Sequence, residues 1–307
     1  MLFLDGVGLG VPDRSVNPFF AAQLPALRSM LEGRLPSLDS PEVAGREVTL
    51  VPLDATLGVA GLPQSGTGQT SLFTGVNASR MIGKHFGPHP YSTLRPIIRE
   101  KSIVTRLLAL GRKPCFANAF PQRFFDYVDR RPNRLAVTTL SCLMAGVPLR
   151  NAQDLREARG VSADITGVGW SALGYSDIRT IDPAEAGRRL VRLLSEHEFV
   201  LFEYWKTDYA GHSENFREAV EVLECLDGML AGIVEAMDIQ STLLFVTSDH
   251  GNVEDMSTKT HTRNPVPAIL YGRGHEALAA QLRSGDSREA DLTLVAPLLT
   301  EAITGHQ

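Results

Sequence analysis

Residues 242–252 read TLLFVTSDHGN, an almost uninterrupted apolar and β-branched run that ends in two adjacent ionisable residues, Asp249 and His250. A strand that stays apolar on both faces suits a parallel sheet covered by helices on both sides. Burying two ionisable groups at its end is costly unless something pairs with them, and a metal ion is one such partner. The arrangement recurs on either side. LFL (2–4) stops at Asp5, and FVLFEY (199–204) leads through WKT to Asp208 and, one helical turn on, His212. His261 follows in the loop before PVPAILY (265–271), another strand. VTLVPL (48–53) and PCFANAF (114–120) read as further strands, the first weakened by Pro52. Helices lie between them. Ser102 caps Ile103–Leu110, and Asp182 to Glu185 form a capping box with proline at its first turn, opening a helix to about Glu196. Phe216, Val220, Leu223, Leu226, Leu230, Ile233 and Met237 make 214–237 amphipathic. The alternation predicts an α/β fold, a mostly parallel sheet between helical layers. Ligands bind such sheets beyond the carboxyl ends of the strands. Asp5, Asp208, His212, Asp249, His250 and His261 are therefore expected to meet on one rim as metal ligands.

With 307 residues, 43% hydrophobic and 21% charged, the chain reads as one globular domain, 1–307, rather than a disordered segment. A net charge of −5 gives no argument for nucleic acid or an anionic membrane as partner, and no apolar run is long enough to span a bilayer. Three cysteines far apart, without a CxxC, fit a reducing compartment, so a cytoplasmic location is expected. Residues 120–180, rich in Arg, Pro and Gly, read as a small cap or lid; Trp170 there belongs to a core or a pocket wall.

GLPQSGTGQTSLFTG (61–75) sets hydroxyls among small residues ahead of a helix. Such a turn aims N–H groups outward, which suits a phosphate or sulfate, and presents Ser65 as nucleophile, with Thr67 as the alternative. The N–H groups near Gly66–Gly68 are expected to hold an oxygen of the bound group. Arg80, Lys84, His85, His89 and Arg95 follow as candidate substrate-binding residues; Arg123, Arg130, Arg131 and Arg134 form a second basic cluster, and Lys206 lies close to Asp208.

Together these motifs resemble the alkaline phosphatase superfamily, nearest the cofactor-independent phosphoglycerate mutase and phosphopentomutase branch. The carriers are TSDHGNVED and HTRNPVP, DYAGH (208–212), LDGVG at the start, and QSGTGQTSLFTG around Ser65. The resemblance implies an alkaline phosphatase-like three-layer fold and two divalent cations. Asp208, His212 and His261 would hold one; Asp5, Asp249, His250 and the Ser65 hydroxyl the other. Mixed Asp/His ligation favours zinc or manganese over magnesium. It further implies a phosphoserine intermediate and a small phosphorylated substrate. Mutases of this type carry an acid directly after the nucleophile and a histidine four residues after it, where this chain has Gly66 and Gln69. Only 142 residues separate Ser65 from Asp208, too few for the mutase's large inserted domain. A phosphomonoester hydrolase is thus the first expectation. A phosphomutase, a phosphodiesterase and a catalytically silent binding module are the alternatives, and the oligomeric state stays open.

Overall fold

A computed structural model describes residues 1–284 and 290–305. Its strands are β1 (Leu2–Leu4), β2 (Val43–Ala44), β3 (Val48–Leu53), β4 (Pro114–Phe116), β5 (Asn118–Phe120), β6 (Arg150–Asn151), β7 (Val161–Ser162), β8 (Phe199–Tyr204), β9 (Leu243–Ser248) and β10 (Val266–Gly272). Seven form one sheet in the order β2-β3-β10-β9-β1-β8-β4. The run β9-β1-β8-β4 is parallel, whereas β10 is antiparallel to both its neighbours. The stretch 249–265 that joins β9 to β10 contains no helix, and a parallel return would need a crossover. Pro52 is accommodated because it faces Pro267 at the end of the ladder: pairing with β2 is limited to Thr49 and Leu50, and pairing with β9 begins at Ala268.

Successive residues of β1 point to opposite faces, so each face has its own core. Leu2 and Leu4 join Phe202, Val246 and the apolar stripe of the helix Phe216–Ala236. Phe3 joins Leu201, Phe245 and the helices Ser65–Thr74, Ile103–Ala109, Val137–Ala145 and Val295–Thr304. The result is the three-layer α/β fold.

Two local expectations are corrected. PCFANAF is not one strand: β4 edges the main sheet, while β5 pairs with β6 and β7 in a separate small parallel sheet. Asp182 does cap, accepting from the N–H of Ala184 at 2.8 Å, but Glu185 bonds Arg188, Arg189 and Arg192 and closes no reciprocal box. The stretch 120–180 divides. The helix Val137–Ala145 packs into the main core, where Leu135 and Val147 also sit and against which Phe124 and Val128 of the helix Gln122–Arg130 pack, while Ala119, Leu155, Trp170 and Ile178 form a small core beside β5–β7. Trp170 is buried there, its indole N–H on the Ser162 hydroxyl at 2.7 Å.

Candidate metal centre

Register explains the convergence. Leu4 is aligned with Tyr204 of β8 and with Ser248 of β9, so the residues that follow all three strands emerge on one rim. Asp5 leaves β1, Asp249 and His250 leave β9, and Asp208 and His212 lie on the helix Lys206–Ser213 directly after β8. Gly6 lets these segments close: its φ of 70° is left-handed, and a Cβ there would lie 2.6 Å from Asp208 Oδ1. His261 is drawn in by an antiparallel bridge between Gly251 and Thr262.

Ser65 opens the helix Ser65–Thr74, which is buried throughout despite its polar sequence. The hydroxyls of Thr70, Ser71 and Thr74 each donate to the carbonyl four residues back, which makes that burial tolerable. Gly68 allows the helix to sit against the Asp249 backbone, since a Cβ there would lie 2.8 Å from its carbonyl oxygen. The Ser65 hydroxyl thereby comes 3.0 Å from His250 Nε2. Thr67 is differently engaged: its hydroxyl donates to the Gln64 carbonyl and accepts from the Phe86 N–H. The N–H groups of Thr67 and Gly68 are also taken, by Phe86 and Gln64, so the outward donors at this turn are Ser65 and Gly66 rather than Gly66–Gly68.

Two ligand-like clusters result, Asp5–Asp249–His250 and Asp208–His212–His261, each with donor atoms within 4.8 Å of one another. Their hydrogen bonding calls for cations. His212 Nδ1 faces the Lys259 carbonyl at 2.8 Å and His261 Nδ1 faces the Pro63 carbonyl at 2.7 Å, so each ring donates from Nδ1 and carries its lone pair on Nε2. Those two Nε2 atoms face each other at 3.1 Å, with Asp208 oxygens at 3.4 and 3.5 Å. Two lone pairs and a carboxylate converging on one point fit a bound cation. In the inner cluster, Asp5 Oδ1 and Asp249 Oδ2 are buried without a hydrogen-bond partner among the described residues. His250 Nε2 is 3.4 Å from Asp5 Oδ1 and 3.5 Å from Asp249 Oδ2. Both donor sets therefore fit a metal.

Electrostatics agree with the geometry. Burial, reinforced by neighbouring carboxylates, pushes Asp5 and Asp249 well above the usual carboxylate range. Burial and the neighbouring His261 hold His250 down at about 3. Asp208 is lowered to about 2: burial opposes this, but the neighbouring imidazoles of His212 and His250 and the bond from Asn252 favour its charged form.

Several supporting residues were not read from the sequence. Asn252 donates to Asp208 Oδ1 at 2.7 Å, and Gln69, one turn after Ser65, reaches Asp5 Oδ2 at 3.4 Å. Glu254 is fully buried and takes donors from Gly8, Asn252, Thr262 and Asn264, tying three segments of the rim together. Of the basic candidates, His85 is held by both ring nitrogens, on Ser79 and on the Val59 carbonyl. Arg95 bonds the Pro132 carbonyl, Lys84 lies over the rings of Phe86 and Tyr91, and Arg80 is exposed beside Gly58. No contact ties any of the four to the two clusters among the described residues.

Glu203, on β8, is buried with its carboxylate accepting from the Thr138 hydroxyl at 2.6 Å, and burial raises it to about 7. Because the folded value lies above the unfolded one, its contribution to stability is present below about pH 4.5 and lost as pH rises through about 7. Glu203→Gln keeps an acceptor for Thr138 and should gain on the order of 3 kcal/mol over the parent at pH 8, with little gain near pH 4. Urea denaturation of both proteins at the two pH values measures this; a constant difference would refute it.

Residues 171–304 match the family model of the Metalloenzyme superfamily. The chain is 32% identical over 187 residues to the 2,3-bisphosphoglycerate-independent phosphoglycerate mutase of Pyrococcus abyssi, a match covering 61% of this chain and 40% of that one. It is 38% identical over 113 residues to the enzyme of the same name from Thermomicrobium roseum, covering 34% of this chain and 21% of that one. The match thus spans well under half the length of these relatives. Among solved structures, the PH0037 protein of Pyrococcus horikoshii superposes with a TM-score of 0.55 at 14% identity, covering 100% of this chain and 96% of that one. The lipoteichoic acid synthase LtaP of Listeria monocytogenes superposes with a TM-score of 0.50 at 10% identity, covering 97% and 75%.

Proposed function

We propose that the chain, whose residues 171–304 match the Metalloenzyme superfamily model, is a metal-dependent phosphomonoesterase that acts on a small phosphorylated metabolite through a phosphoserine at Ser65. The observation that carries this reading is the Ser65 hydroxyl, 3.0 Å from His250 Nε2 and beside two clusters of ligand-type side chains, the inner one with Asp5 Oδ1 and Asp249 Oδ2 buried and unpartnered among the described residues. Asp5, Asp249, His250 and Ser65 would hold one divalent cation, and Asp208, His212 and His261 the other. Imidazole in both sets favours zinc or manganese. When bound, such cations supply Lewis acidity that favours the ionised serine hydroxyl and offsets phosphoryl charge.

The chain's own residues do the rest. Ser65 Oγ forms a bond to phosphorus as the ester oxygen departs, and the Gly66 N–H is placed to hold a non-bridging oxygen. Gln69 and Asn252 fix the Asp5 and Asp208 carboxylates. Water then cleaves the phosphoserine, and His212, with 46% of its side chain exposed, marks the side from which it enters. That open side, with the short span between Ser65 and Asp208, favours hydrolysis over mutase chemistry. The names of the relatives favour the mutase. A cytoplasmic enzyme fits the three free cysteines, and no described helix is long and apolar enough to cross a membrane.

Phosphate release from p-nitrophenyl phosphate should disappear on chelation and return with zinc or manganese. Absence of turnover across a broad phosphomonoester panel with either metal would remove the proposal. Interconversion of phosphoglycerates without phosphate release would decide for the mutase.

A further inference from the structure

The two clusters differ in exposure. The side chains of Asp249 and His250 are wholly buried and that of Asp5 is 13% exposed, whereas those of Asp208 and His212 are 19% and 46% exposed. The most exposed candidate ligands, Asp208 and His212, thus lie on the helix Lys206–Ser213, whereas His261 of the same cluster is 7% exposed. At about 100° per residue, Trp205, Asp208, Tyr209 and His212 fall in one stripe of this helix and its preceding turn. The stripe that carries two candidate ligands thus also carries two aromatic rings. Both rings are among the large apolar side chains left exposed, Trp205 at 42% and Tyr209 at 59%. They meet edge to face, with centroids 6.2 Å apart and planes at 89°. An exposed aromatic pair on the helix face that carries Asp208 and His212 leaves apolar ring surface available to what approaches that face.

We propose that Trp205 and Tyr209 form a stacking platform for the leaving group, so that the preferred substrates are phosphomonoesters whose alcohol carries a planar, nucleobase-like ring. This rests on the hydrolase reading and specifies its substrate class. The occupant is the leaving group because the rings share a helix face with the two candidate ligands, Trp205 one turn before Asp208 and Tyr209 one turn before His212.

Adenosine 5′-monophosphate and ribose 5-phosphate test it, since they share the primary phosphoester and differ in the base. The metal-loaded parent should favour the nucleotide in kcat/KM by about tenfold or more, the scale of one base–aromatic stack. In a Trp205→Ala/Tyr209→Ala variant that ratio should fall towards one. A second readout needs no turnover. The chain has two tryptophans; Trp170 is buried, so quenching by a stacked base reports on Trp205. In metal-loaded Ser65→Ala protein the nucleotide should quench fluorescence where ribose 5-phosphate does not, and adding Trp205→Phe should abolish the quench. Equal kcat/KM for the two esters in the parent, or quenching that survives Trp205→Phe, overturns the platform. So does a double variant that changes from dimer to monomer with its substrate ratio intact, which would assign the rings to a subunit contact. Equal turnover of the two esters, or turnover of p-nitrophenyl phosphate with neither of them, removes only the platform, whereas no turnover of any phosphomonoester removes the hydrolase reading.

Discussion

Ser65→Ala is expected to lower kcat for p-nitrophenyl phosphate by at least about 10³-fold, a loss of roughly 4 kcal/mol of transition-state stabilisation. The size follows from what the substitution removes. Without the hydroxyl no phosphoserine forms, and phosphoryl transfer needs direct attack by water at a centre built to present Oγ beside His250. Thr67 is no substitute, because its hydroxyl is tied to Gln64 and Phe86 and would have to break both contacts to turn. Thr67→Val should therefore disturb the packing of the 84–90 segment more than the chemistry. Intact-mass measurement after a rapid acid quench distinguishes the two hydroxyls directly: one phosphoryl group should appear on the parent and on Thr67→Val, and none on Ser65→Ala. A phosphorylated Ser65→Ala protein would transfer the nucleophile role elsewhere. The Ser65 side chain is small and its helix keeps its other bonds, so the melting temperature should barely change.

The frame of the site was legible because strands announce themselves. LFL, FVLFEY and TLLFVTS are buried runs whose ends are marked by charge, and in a parallel sheet aligned ends share a rim whatever the intervening chain does. What could not be read locally are the residues whose role depends on a distant partner. Glu203 looked like one polar position within FVLFEY; its environment is made by Thr138, 65 residues away. Glu254 is just five residues beyond Asp249; three of its donors are within ten residues, but the fourth, the Gly8 N–H, comes from 246 residues away. The His85 ring meets Ser79 six residues back and the Val59 carbonyl 26 residues back, contacts that its position after the Ser65 helix does not reveal. The antiparallel β10 was in principle readable, since a loop without a helix cannot return parallel; its apolar composition alone gives no direction.

His261→Ala should lower metal content from two ions per chain to one and reduce activity by at least about 10²-fold, more than loss of an outer-shell partner usually costs. The argument starts from asymmetry. The outer cluster has one carboxylate and two imidazoles, so losing His261 leaves only Asp208 and His212, too few protein ligands for a tight site. The inner cluster keeps Asp5, Asp249 and His250, which stack of rings aside share no donor with it. His261 does stack on His250, with centroids 3.8 Å apart, so some loosening of the inner ring is expected as well. The fold should survive, because the Thr262–Gly251 bridge and the Glu254 bonds hold the loop by other atoms. Thermal denaturation separates these effects. Saturating metal at about 1,000 times its Kd raises stability by roughly 4 kcal/mol per site, so chelation should lower the melting temperature of the parent more than that of His261→Ala. Metal analysis of the dialysed variant gives the stoichiometry. Two tightly held ions with full activity would show that the outer cluster does not depend on His261, and the division of the rim into two cation sites would have to be redrawn.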